Sequence, residues 1–195
     1  MLKKIGIGLA VIFLIIAVLA MRQPDTFEIT RSANIAAPAQ VVYGYTNDFH
    51  EWQKWSPWEK LDPNMQRTFS GHASGVGAGY AWSGNSEAGA GTMTIKESVP
   101  GEKVGINLDF IKPFESKTIT EFTMKPVGDS TDVVWTMSGP NQFISKVMGV
   151  FVSVDKMVGP DFEKGLASLK ALAEADAKRM AAAAAAVPAV DSTNK

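Results

Sequence analysis

Cysteine is absent from this 195-residue chain, and there are only two histidines. The first absence excludes a disulfide framework, a thiolate zinc site and a cysteine nucleophile together. The second leaves His50 and His72 far apart, without the paired spacing that a metal site needs. No metal and no cofactor are therefore expected. An excess of charge of either sign is also missing: the formal net charge is −1, which provides no electrostatic footprint for nucleic acid. No Ser/His/Asp arrangement with a nucleophile elbow occurs, so no catalytic residue is assigned. Gly75-Val-Gly-Ala-Gly79 superficially resembles a phosphate-cradling loop, but Tyr80-Ala-Trp82 after it reads as strand where such a loop needs a helix N-terminus. A hairpin or bulge is expected there.

What is present begins with a long apolar run. Lys3 and Lys4 precede an uncharged stretch from Ile5 to Met21 with no polar stripe. As a helix its roughly 17 residues would reach about 25 Å, just enough to cross a bilayer. Residues 1–22 are read as a transmembrane anchor with the lysines cytoplasmic and the rest outside. A cleaved signal peptide is the alternative, because Val18-Leu19-Ala20 offers small residues at a cleavage site.

Residues 23–179 read as one folded domain. Phe27, Ile29, Ala33 and Ile35 alternate as a first strand over 26–36. Pro38 then opens a short helix over 39–49, and a second around 51–55 stops at Ser56-Pro57. From Met65 to Ser138 six strand patterns follow, at 66–70, 79–83, 91–98, 103–110, 117–126 and 132–138, joined by Gly, Pro and Asn turns. Short connections imply an antiparallel meander covered on one face. Two helices end the domain. The first, over 142–157, carries Ile144, Val147, Met148 and Phe151; a break at Gly159-Pro160 separates it from the second, whose Phe162, Leu166 and Leu169 recur at helical spacing. Residues 180–195, rich in alanine, have little to bury; the alanines extend the helix a turn or two and the end reads as a disordered tail.

Three of the five tryptophans, Trp52, Trp55 and Trp58, fall in one seven-residue stretch where helix hands over to sheet. Trp55 and Trp58 are candidates for a pocket wall or rim. Trp52 reads as packing a helix onto the sheet. Tyr80, Trp82, Phe110, Phe122 and Trp135 from the strands, with Phe162, Leu166 and Leu169 from the last helix, complete the candidate ligand-binding set; Met124 and Met137 are further lining candidates.

The stretches Asn34-Ile-Ala-Ala-Pro-Ala-Gln-Val-Val42, Asn47-Asp-Phe-His-Glu-Trp52, Trp55-Ser-Pro-Trp58, Tyr80-Ala-Trp82 and Asp161-Phe-Glu-Lys-Gly-Leu-Ala-Ser-Leu-Lys170 resemble the START-like, or polyketide cyclase/dehydrase-like (SRPBCC), superfamily, in its bacterial membrane-anchored branch. The resemblance covers about residues 26–174. It implies an α+β helix-grip fold, also seen in the birch-pollen allergen type, in which a curved antiparallel β-sheet wraps around a long C-terminal helix. It further implies a cavity for a hydrophobic small molecule or lipid, and that the membrane is the inner membrane of a bacterium. Fold alone does not carry function across such a superfamily. A cyclase or dehydratase using His50, Glu97 or Tyr80 as acid or base, and a protein-interaction module without an open cavity, remain alternatives.

Overall fold

The computed structural model describes residues 2–186. An N-terminal helix α1 (Leu2–Met21) leads through Pro24 into β1 (Thr26–Ile35). Helices α2 (Ala39–Thr46) and α3 (Phe49–Trp55) and a 3-10 turn (Pro57–Lys60) follow. Six strands come next: β2 (Gln66–Gly71), β3 (Ala78–Ser83), β4 (Ala90–Val99), β5 (Lys103–Lys112), β6 (Ser116–Val127) and β7 (Ser130–Pro140). The chain closes with α4 (Phe143–Gly149) and the long α5 (Val154–Ala186).

All seven strands form one antiparallel sheet in the order β1-β7-β6-β5-β4-β3-β2. The meander is the cheapest connection for strands of period two. It leaves β1 to return beside β7, with the early helices bridging the gap to β2. The glycine-rich stretch joins β2 to β3 as a hairpin. Thr118, Thr120, Phe122 and Met124 on β6, with Val133, Trp135 and Met137 on β7, alternate inward. Onto this inner face pack α2, α3 and α5, giving an α+β helix grip with a contiguous core.

The last helix differs from its expected outline. The break lies between Gly149 and Val154, and α5 runs through Gly159-Pro160 without stopping. Pro160 lies on the exposed face, so the Lys156 carbonyl that loses its partner is available to water. Gly159 is required by a neighbour. Arg31, inward on β1, lies across it and pairs with Asp155 (2.8 Å) on one side and Glu163 (2.8 Å) on the other. These carboxylates stand one turn before and one turn after Gly159, and a Cβ between them would overlap the guanidinium. Gly165 makes a second close approach: a Cβ there would come within 2.8 Å of the Trp135 ring. At its far end α5 continues to Ala186, about two turns past 179; the remainder of the expected tail lies outside the described residues.

A second polar clamp holds the helix near its middle, where the buried Tyr45 hydroxyl donates to Asp176. Burial first, and then this bond, push the Tyr45 phenol from 10.0 up to about 12. A phenol favoured in its neutral form contributes stability that is complete below pH 10 and disappears as pH rises through about 12. Denaturation of wild type across that window should show a downward slope that is smaller in Tyr45→Phe. Equal slopes would show that the clamp does not couple to folding.

Candidate functional site

The sheet's inner face has two unlike halves. Toward the β6–β7 turn, Ile35, Val42, Ile95, Val104, Val133, Leu169 and Ala173 are buried in continuous packing. Toward the opposite end, where β1 begins and β3, β5 and β7 finish, a cavity of about 200 Å³ remains. Its walls come from that half of each strand: Tyr80 and Trp82 on β3, Met93 on β4, Leu108 and Phe110 on β5, Thr120 on β6, and Trp135 and Met137 on β7. The roof is built by Trp52 of α3, Ser56, Trp58 and Glu59 of the 3-10 turn, and Val158 and Phe162 of α5.

A chain of ring contacts fixes this roof. Phe162 stacks on Trp135 at 4.1 Å and meets Trp58 edge-on at 5.8 Å. Trp135 stacks in turn on Phe122 at 4.8 Å. Such pairs add about 0.5–1.5 kcal/mol each beyond area burial, so wall positions are rigid as well as apolar.

The structure divides the candidate residues. Trp58, Tyr80, Trp82, Phe110, Trp135 and Phe162 line the cavity. Trp55, Phe122, Leu166 and Leu169 are buried behind the wall, as is Met124. Trp55 meets Phe122 and Trp135 edge-on and its indole donates to the Tyr45 carbonyl, so it is packing. Its expected role belongs to Trp52, which faces the space. Met65, Met93 and Leu108 are wall residues that sequence reasoning did not single out. Met93 and Leu108 share parity with Ile95 and Phe110, so the signal for their face was present.

One polar cluster interrupts the apolar wall. Glu59, its side chain almost fully buried, accepts from the Tyr80 hydroxyl at 2.5 Å and from Arg67 Nε at 2.6 Å, each through a different oxygen. Arg67 also donates to the Met65 and Glu59 carbonyls. Burial, followed by the bond to Glu59, holds the Tyr80 phenol well above the usual range. It is therefore neutral and donating at ordinary pH. The cluster is closed on itself.

Unused hydrogen-bonding capacity lies elsewhere in the roof. The indoles of Trp52, Trp55, Trp82 and Trp135 all donate within the protein, whereas Trp58 Nε1 has no partner among the described residues. The Ser56 hydroxyl makes no capping bond.

The other acid/base candidates are outside. His50 is exposed, bonded to Asp48 at 2.7 Å and stacked on Phe69. Glu97 is an exposed residue on the outer face, where Lys103 bridges it to Glu121. Among the described residues no three His, Asp or Glu side chains converge as a metal-binding group.

The family model described as polyketide cyclase / dehydrase and lipid transport matches residues 26–174. The chain belongs to that family, a hydrophobic-ligand-binding fold. Solved structures of similar fold include protein CV1439 from Chromobacterium violaceum, with 20% identity and TM-score 0.54 over 78% of this chain and 99% of that one. Protein Mll3558 from Rhizobium loti is similar at 16% identity and TM-score 0.56, over 75% and 96% respectively. The di-domain ARO/CYC StfQ of the steffimycin biosynthetic pathway is similar at 10% identity and TM-score 0.58, covering 79% of this chain and 52% of that protein. No curated protein matches in sequence.

Two neighbouring tryptophans separate packing from site. Trp55→Ala, at a 1% exposed position, should cost about 3–5 kcal/mol. Trp58→Ala should cost less, yet weaken uptake of a fluorescent hydrophobic probe several-fold. Paired denaturation and probe titration measure both, and equal probe affinity in wild type and Trp58→Ala would remove Trp58 from the site.

Proposed function

We propose that residues 23–179 form a binding domain that holds a hydrophobic small molecule or the apolar part of a lipid, and that residues 1–22 tether it to the outer face of the inner membrane. The observation that carries this reading is the aromatic-walled cavity in the half of the sheet nearest α1. Its size bounds the ligand. An apolar cavity of about 150 Å³ takes up benzene, while pockets for drug-sized molecules run from about 300 to 1,000 Å³. A space of about 200 Å³ suits one or two rings or a short length of chain, with any larger part at the mouth.

Charge bounds it further. Among the described residues Glu59 is the one charged residue in the wall, and Arg67 and Tyr80 already satisfy it. An anionic ligand finds no free cation there. Trp58 Nε1 and the Ser56 hydroxyl remain as donors, so an uncharged molecule with a hydrogen-bond acceptor is the best fit. Trp52, Trp58, Tyr80, Trp82, Phe110, Trp135 and Phe162 supply its apolar contacts. Binding is favoured over turnover because His50 and Glu97 stand outside the cavity and Tyr80 is held neutral in a closed cluster.

For the tether, α1 offers 19 residues from Lys3 to Met21, long and apolar enough to cross a bilayer. A reporter fused after Lys195 should be active only outside the cytoplasm, and the mature protein should retain Lys3 and Lys4. For the cavity, native mass spectrometry and lipid extraction of full-length protein taken from its own membrane should find a bound apolar compound. Loss of that compound in Trp58→Ala, with retention in His50→Ala, is the expected pattern. Protein that is consistently empty and takes up no hydrophobic probe would replace this reading with that of an interaction module.

A further inference from the structure

The strongest surface feature lies beside the cavity. Helix α4, the turn after it and the β5–β6 turn expose six large apolar side chains: Phe114, Phe143, Ile144, Met148, Phe151 and Val152. Phe151 is 70% exposed, Phe143 60% and Phe114 55%. Isolated exposed side chains of this kind need no explanation, but a contiguous group of them marks an interaction surface. The parts are held together, since the Gln142 side-chain amide donates to the Glu115 carbonyl at 2.7 Å and so ties the β5–β6 turn to the start of α4.

The neighbour of this surface says what covers it. Helix α1 packs against α4, with Ala20 fully buried and Ile16 and Ala17 half-buried. The linker between α1 and β1 is fastened to the same place. Lys146 pairs with Asp25 at 2.5 Å, Asn141 donates to the Pro24 carbonyl at 3.1 Å, and the Asn141 backbone donates to the Asp25 carbonyl at 2.7 Å. Ile16 lies five residues before Met21, which places the contact roughly 7.5 Å inside the end of the apolar run. Helices that lie in a membrane interface sit about 5–10 Å into the boundary between headgroups and acyl chains. A helix packed against the last turns of α1 is carried to that depth.

We propose that α4 and the β5–β6 turn form an interfacial surface embedded in the outer leaflet, and that it holds the cavity mouth against the lipid. The surface is continuous with the membrane segment, and this inference rests on the anchor reading of α1. The cavity is at the same end of the sheet. Phe110 leads directly into the turn that carries Phe114, and Val158 lies one turn into the helix that follows α4. Ligand then passes between leaflet and cavity without crossing bulk water, and the domain does not swing freely on its linker.

The absence of native cysteine makes the test clean. Full-length Phe151→Cys and Phe114→Cys, labelled with an environment-sensitive fluorophore, are reconstituted in phosphatidylethanolamine/phosphatidylglycerol vesicles containing spin-labelled lipids. Phe13→Cys in α1 and Asp129→Cys in the β6–β7 turn, at the opposite end of the sheet, are the references. Labels at 151 and 114 should be quenched by lipids spin-labelled near the headgroup, label 13 by deeper ones, and label 129 by none. Quenching at 13 alone overturns the interfacial surface and leaves the anchor standing. No quenching at 13 overturns both. Labels 151 and 114 shielded in detergent, in a protein of dimer mass, would assign the surface to a second copy. As a second readout, Phe114→Asp/Phe151→Asp should slow transfer of a hydrophobic probe from vesicles several-fold while its affinity in detergent stays unchanged; unaltered transfer rates also overturn the proposal.

Discussion

A single long helix has to cover a seven-stranded sheet, and most of the architecture follows from that mismatch. Strands about 4.8 Å apart make the sheet about 29 Å wide, whereas a helix with its side chains is only about 10–12 Å across. Helix α5 therefore runs along β1 and the nearby inner face, and two short helices from the β1–β2 connection cover part of what is left. Where α2 lies over β5 and β6 the gap is filled. Beyond the end of α3 only a 3-10 turn is available, and the gap persists as the cavity. Aromatic side chains are concentrated at this boundary because they span the distance from turn to sheet that aliphatic ones do not. Ring contacts tie Trp58 of that turn to Trp135 of the sheet and Phe162 of α5.

Helix, sheet and face were legible in the sequence because they depend on local period. Alternation at Met93/Ile95 on β4, Val104/Ile106/Leu108/Phe110 on β5 and Val133/Trp135/Met137 on β7 pointed to the inner residues, and the apolar spacing of Phe162, Leu166 and Leu169 to the buried face of α5. Position along the strand was not legible. Phe122 and Thr120 share one face of one strand, yet Phe122 is core and Thr120 lines the cavity; what separates them is where α3 and the 3-10 turn land. The same applies to Trp52 and Trp55, three residues apart on one helix. Gly159-Pro160 misled for a different reason. The pair reads locally as a helix stop, but the glycine answers a distant need, space for Arg31, and the proline sits where its lost hydrogen bond faces water.

The two ends of the sheet divide the work of the domain. The packed end carries the buried aliphatic core and the Tyr45–Asp176 clamp. The open end gives up packing for a cavity, and gains rigidity from ring stacking and from the charged Arg31 clamp on the first turns of α5. That separation explains how a cavity persists without loosening the fold. Apolar space costs stability only through contacts not made locally, and the distant core is unaffected.

The Glu59, Tyr80 and Arg67 cluster shows the opposite logic on a small scale. A carboxylate in an apolar wall is expensive unless each of its oxygens is bonded, and here both are. Closure of the cluster turns a costly group into a fixed one. Its consequence for recognition is negative: Arg67 is neutralised and Tyr80 is committed, so neither is available to a ligand's carboxylate. Among the described residues Trp58 Nε1 has no partner, and the Ser56 hydroxyl, just before the 3-10 turn, makes no capping bond; both are uncharged. The charge that the wall contains serves to hold the turn in place.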